Sequence, residues 1–245
     1  MNKTYLYPYS AEEARRRNEM SLWRASHKAN LACKEEIELA IGTHFDGAHL
    51  EEGCAEGVIR EYGYKRVQWV LSHTIQQLDW SDRFSQANKE WARQTYIPKD
   101  RAYVTDLIIV SDPAVVDLFA TQFQCAYQEI GLFGPNQCEP NSFEELDYEG
   151  KVLVLSPDTL KETYWTPQAQ LWYAHDGFGC SPTAIGRSVR CTCLGDGEMT
   201  RWNRTDFIGA LKDEFLPDWA KEKLMELKGQ EQNNDSPAMG GMTME

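Results

Sequence analysis

The sequence predicts an α+β chain, with a mainly α-helical N-terminal domain followed by a smaller β-containing domain and a C-terminal helix. Three observations carry that prediction. Apolar residues recur at helical spacing through the first 130 residues, most cleanly at Val67, Val70, Leu71, Thr74, Ile75 and Leu78. After the turn-forming GPNQCEPNS (134–142) the pattern shifts to short apolar runs, KVLVLS (151–156) and AQLWYAH (169–175). Finally, SVRCTCL and MTRWNR flank Gly-Asp-Gly-Glu, which signals a β-hairpin.

The elements follow in chain order. Ser10 with Glu13 three residues on forms a capping box, which opens a helix running toward Ile41 and broken at most once. Leu22, Ala25, Ala29, Ala32 and Cys33 mark its apolar stripe, and Gly42 its stop. A second helix spans 50–62 and ends at Gly63; the third carries the Val67–Leu78 stripe. Ser81 opens a short helix bearing Phe84, Ala87 and Trp91. The run YVTDLIIV (103–110) suits a buried strand or a helix lead-in equally, because periodicity does not separate them. Asp112-Pro113 is an N-cap followed by proline at the first helical position, and Val116, Phe119, Phe123, Tyr127 and Ile130 form the stripe of the helix it starts. A last helical region begins at Asp206, is interrupted at Pro217 and resumes through WAKEKLMELK. The resulting division is a helical domain over 1–133, a linker over 134–149, an α+β domain over 150–228 and a polar, disordered tail over 229–245.

Charge is distributed unevenly. The chain has a formal net charge of −13, yet residues 1–100 hold 14 basic and 15 acidic side chains. Between Arg101 and Lys151 there is no Lys or Arg, against Asp106, Asp112, Asp117, Glu129, Glu139, Glu144, Glu145, Asp147 and Glu149. A folded surface of one sign repels nucleic acid and attracts cationic partners. Its ordinary role is a solvated face; its sharper one is a contact for a basic protein. No window approaches the ~18 apolar residues of a membrane span. The N-terminus lacks a signal-peptide core, and seven scattered Cys suit a reducing compartment, so a cytoplasmic location is expected.

Motifs with chemical potential are few. His175, Cys180, Cys191 and Cys193 are the types zinc prefers, but their spacing is not that of two C-x2-C knuckles, and Cys191 and Cys193 fall on one strand face where they pack as thiols. No metal site is therefore expected. Cys180 and His175 form the one conceivable nucleophile–base pair. GFG (177–179) lacks the context of a dinucleotide loop and no GK[ST] occurs, so no cofactor is expected. His44 and His49 sit near Asp46 and Glu51 in a loop. The helices flanking Gly63, with Arg60, Lys65 and Arg66, outline either an ordinary αα-hairpin or a DNA reader. Arg187, Arg190, Arg201, Trp202 and Arg204 form a basic, aromatic patch that suits either a salt-bridged hairpin or recognition of a small anionic ligand or nucleotide.

The segments YPYSAEEARRRNEMSLWRASHKANLACKEEIELAI, YGYKRVQWVLSHTI and DWSDRFSQANKEWA resemble an uncharacterised family of domains of unknown function from conjugative and other mobile elements of Gram-positive gut bacteria. GKVLVLSPDTL, LWYAHDGFGCSP and RWNRTDFIG resemble a module found beside it. Where that module shows GRAVF after the GFGC turn, this chain has GRSVRCTC, so the resemblance transfers neither Cys191 nor Cys193 as a metal site, and it transfers no catalytic residue. It implies an accessory protein of a mobile element, a class that often shields the element from host defence through acidic mimicry of nucleic acid. The expected function is a non-enzymatic inhibitor of a nucleic-acid-targeting defence effector, of anti-CRISPR or antirestriction type. Asp112, Asp117, Glu129, Glu139, Glu144, Glu145, Asp147 and Glu149 would meet a basic protein partner, provided that they share one face.

Overall fold

The computed structural model describes residues 4–100 and 106–234, and it divides the chain into two compact units, Met1–Glu129 and Ile130–Glu245.

Unit 1 is helical. Helix α1 (Ala11–Arg16) opens with Ser10 Oγ accepting from the Glu13 N–H at 3.3 Å, while the Glu13 carboxylate turns to Arg17 instead of completing the box. It closes in a Schellman turn. Asn18 takes φ 59°, the Glu19 N–H reaches Ala14 O at 2.8 Å and the Asn18 N–H reaches Arg15 O at 3.2 Å. This is the break in the long N-terminal helix, and α2 (Met20–His44) follows it.

The stripe that α2 buries is Trp23, Ser26, Asn30, Cys33, Ile37 and Ile41; Leu22 and Ala25 of the expected stripe are exposed. A buried cation causes the shift. Arg66 donates to Ser26 O at 3.1 Å, to Asn30 Oδ1 and to Thr4 O at 2.6 Å, while the Tyr7 N–H donates to Ser26 Oγ at 2.9 Å. Polar side chains thus occupy inward positions that apolarity alone would not assign. Gly42 does not stop α2, which runs to His44 until Phe45 bridges Leu50.

Helix α3 (Cys54–Tyr62) ends at Gly63, which takes φ 84°, and α4 (Tyr64–Gln77) buries Val67, Val70, Leu71, Thr74 and Ile75 as the periodicity predicts. Helix α5 (Gln86–Arg93) is capped by Ser85, not Ser81. Of YVTDLIIV, 103–105 lie outside the described residues, and 106–110 form neither strand nor helix although Leu107 and Ile109 are buried. Helix α6 (Pro113–Glu129) begins at Asp112, whose Oδ1 accepts from the Ala114 N–H at 2.9 Å.

Unit 2 is built on an antiparallel five-stranded sheet: β1 (Val152–Leu155), β2 (Leu171–Asp176), β3 (Ser188–Cys193), β4 (Met199–Asn203) and β5 (Phe207–Ala210), in the order β4-β3-β2-β1-β5. The hairpin pairs Val189 with Trp202 and Arg190 with Arg201. Where helix was expected from Asp206, β5 instead pairs with β1, Leu153 opposite Ala210. A four-residue strand has no periodicity of its own to announce it.

Both sheet faces are covered, which explains why β1 is apolar at every position. On one face Val152, Val154, Leu171 and Tyr173 pack with Leu211 and with Ala220 of α8 (Asp218–Asn234), the helix that follows the short α7 (Pro167–Gln170) in chain order. On the other, Leu153, Leu155, Trp172, Ala174, Val189, Cys191 and Cys193 pack with Tyr148 and Phe207. Residues 134–149, whose turn chemistry reads as a linker, are part of this unit: Cys138 bridges Leu211, and Cys138, Ser142 and Tyr148 are buried. Helix α8 also takes in 229–234 of the expected tail; 235–245 lie outside the described residues.

Candidate interaction surface

The geometry in unit 2 is organised by one side chain. Asn203 and Asp206 close a short turn after β4, the Asn203 N–H meeting Asp206 Oδ2 at 2.8 Å, and the turn sends Arg204 inward. Arg204 is fully buried. Its five N–H groups all find carbonyl oxygens: Phe143 at 2.9 Å, Gly179 at 3.0 Å, Cys180 at 2.7 Å, Ser142 at 2.9 Å and Leu146 at 2.8 Å. Its guanidinium carbon lies 3.7 Å from the centroid of the Tyr148 ring, a cation–π contact in a dry site. Burial lowers its pKa, and the carbonyl oxygens and aromatic face offset the loss of water.

Arg204 thereby clasps two loops, 142–146 and 179–180. The Tyr148 N–H adds a bond to Cys180 O at 3.0 Å. Glycine makes the second loop possible. A Cβ on Gly179 would lie 2.2 Å from Arg187 O, and one on Gly177, which has φ 120°, 2.4 Å from Ser188 O. GFG is thus a site of close backbone approach, and no phosphate role is needed to explain it.

What the clasp presents outward is acidic and aromatic. Glu144, Glu145, Asp147 and Glu149 are exposed on the first loop, beside Phe143 at 38% exposure. Phe178 on the second is 78% exposed. Asp147 and Glu149 share a cleft of about 390 Å³ with Phe178, Ser181 and Ala184.

The other predicted contact residues lie elsewhere. Glu139 is exposed beside the sheet edge, its N–H on Ala210 O at 2.8 Å. Asp112, Asp117 and Glu129 belong to unit 1. Two of them have internal roles: Asp112 caps α6 and pairs with Arg83, and Asp117 Oδ1 accepts from Ser85 N–H at 3.0 Å and Asn88 Nδ2 at 2.7 Å. The acidic run is therefore divided between two units, and its outward-facing cluster is 144–149.

The basic patch does not converge. Strand alternation sends Arg190 and Arg201 to one face and Trp202 to the other, where it stands edge-on to Trp172 at 5.6 Å. Arg190 pairs with Asp176 on β2 and holds that carboxyl below the usual aspartate range. Arg187 is exposed and Arg204 is buried in the clasp. Sequence reasoning placed Arg204 in a surface patch because an arginine beside a hairpin is ordinarily solvated; no local signal marks it as a core residue.

His175 Nε2 meets Thr192 Oγ1 at 2.7 Å, and burial together with Asp147 and Glu149 pushes the Cys180 thiol up to about 11, away from the thiolate that a nucleophile requires. Burial likewise pushes Cys191 up to about 12, consistent with a packed thiol. Among the described residues no group of three or more His, Cys, Asp or Glu is placed to hold a metal; His44 pairs with Glu51 at 2.6 Å and His49 lies 3.8 Å from Asp46. Arg66, which a DNA-reading αα-hairpin would turn to phosphate, is in the core. Among the described residues no helix is long and apolar enough to cross a membrane.

Among curated proteins and among solved structures, nothing matches this chain. A family model described as a protein of unknown function, DUF3849, matches residues 6–128, nearly the whole of unit 1. The chain therefore belongs to the DUF3849 family.

Proposed function

We propose that the chain is a non-enzymatic interaction protein, and that unit 2 offers its acidic, aromatic-bearing surface to a basic protein partner. The observation that carries this reading is the Arg204 clasp. Five hydrogen bonds hold Glu144, Glu145, Asp147 and Glu149 beside Phe143 and Phe178 on packed backbone. A preorganised surface loses less conformational entropy on binding than a mobile one. Carboxylates steer a cationic partner, and exposed aromatics supply the apolar contact that charge alone lacks.

The same reading takes the chain as a cytoplasmic accessory protein of a mobile genetic element. Its partner is then a nucleic-acid-targeting defence effector, and the chain an acidic inhibitor of anti-CRISPR or antirestriction type. Such an effector presents a cationic channel to nucleic acid, and a folded acidic surface competes for that channel.

The test is affinity capture from an extract of cells carrying defence systems. Wild type is compared with a variant in which Glu144, Glu145, Asp147 and Glu149 are all changed to Lys. Wild type is expected to retain a basic nucleic-acid-binding protein in a salt-sensitive manner, and the variant to lose it. Equal retention by both would sink the acidic-surface reading.

A further inference from the structure

A cavity in unit 1 has an electrostatic character opposite to that of the acidic surface of unit 2. It measures about 460 Å³, within the range of small-ligand sites, and lies between α1 and the segment that follows α5. Arg16, Arg17 and Lys99 line it against the single carboxylate of Glu13, in a chain whose net charge is −13. We infer that this cavity binds a mononucleotide, its phosphate held by Lys99, Arg17 and Arg16 and its base stacked on Tyr96.

The site is assembled before any ligand arrives. The Ala11 N–H donates to Asp100 Oδ2 at 2.6 Å, which fastens the Tyr96–Lys99 segment to the start of α1 across 89 residues of chain. Arg17 is fixed on two sides: Nε donates to Glu13 Oε1 at 2.7 Å, and the guanidinium carbon lies 3.9 Å from the centroid of the Tyr9 ring. Tyr9 is in turn held edge-on against Tyr7, with centroids 5.6 Å apart. Glu13 thus uses only Nε of Arg17, and the two terminal nitrogens keep the fork geometry that suits phosphate oxygens. Arg16 is oriented by Glu12 at 3.2 Å and Glu13 at 3.3 Å. Among the described residues Lys99 makes no ion pair, so its ammonium is available to a ligand.

The aromatic component separates a nucleotide from a bare anion. Tyr96 is 78% exposed at the cavity, an unusual place for a large ring that has no partner ring among the described residues. A flat, exposed tyrosine beside cations is the arrangement on which a base stacks while its phosphate is neutralised. This inference does not rest on the acidic-surface reading, since it uses other residues in the other unit.

The experiment is isothermal titration of the full chain with AMP, GMP, CMP and UMP, with inorganic phosphate and adenosine as controls. At least one mononucleotide is expected to bind, and to bind more tightly than either control. Lys99→Gln and Tyr96→Ala are each expected to weaken that binding about tenfold, the effect of losing one charge-assisted or stacking contact. Both side chains are exposed, so the thermal midpoint of the free variants should equal that of wild type. Three results would overturn the assignment: no mononucleotide binding at millimolar concentration, phosphate binding as well as any nucleotide, or both variants binding like wild type.

Discussion

Arg204 and Arg66 solve the same problem in the two units. Each is a buried arginine that directs its N–H groups to oxygens from segments distant in sequence. A guanidinium suits this because its five donors lie in one plane and spread over a wide arc. Lysine has three donors at a point and cannot span the 142–146 and 179–180 loops together. Arg204→Lys is therefore expected to leave at least two buried carbonyls unmet and to destabilise the chain by about 3 kcal/mol, at ~1–3 kcal/mol for each unmet group. Urea denaturation would measure this, and a loss under about 1 kcal/mol would mean that water replaces the missing bonds. Neither arginine's position is legible from its neighbours in sequence, because the oxygens it meets come from 24 to 62 residues away.

The elements show which local rules prevailed. Caps did well where the local bond suffices: Ser10, Asp112 and Gly63 stand at real helix boundaries. Gly42 and Ser81 carried the same kind of signal and were overridden, since α2 continues beyond the first and the second precedes a turn. Glycines separate by the same logic. Gly42 lies inside α2 with open space around its Cα, so Gly42→Ala is expected to stabilise by about 0.5–1 kcal/mol through helix propensity. Gly179 faces backbone, so Gly179→Ala is expected to destabilise by ~1–3 kcal/mol through overpacking. Opposite signs in thermal melts would support this contrast; equal signs would refute the close approach at Gly179.

At the scale of the whole molecule, seven cysteines are free and six of them are buried, with Cys125 exposed on α6. Burial pushes Cys33 up to about 12 and Cys54 and Cys138 up to about 11, so these thiols are both shielded and protonated at neutral pH. A disulfide-exchange reagent at pH 8 should therefore titrate one thiol rapidly in the native chain and all seven after unfolding. Rapid release of two or more would show that one of the cores opens readily.

By itself the sequence determined the fold class, most helix locations in unit 1, the β3–β4 hairpin and the acidic character of the middle of the chain. These depend on residues near one another in sequence, through helical periodicity, caps, turn chemistry and summed charge. Tertiary structure alone decided the polar stripe of α2, the placement of β5 beside β1, the absorption of 134–149 into unit 2 and the use of Arg204 as a clasp. It also gave Asp112 and Asp117 internal hydrogen bonds in unit 1 and left an exposed cluster at 144–149. The physical reason is common to all of these. A buried polar group or an edge strand is stabilised only by partners remote in the chain, and a local pattern contains no information about where those partners lie.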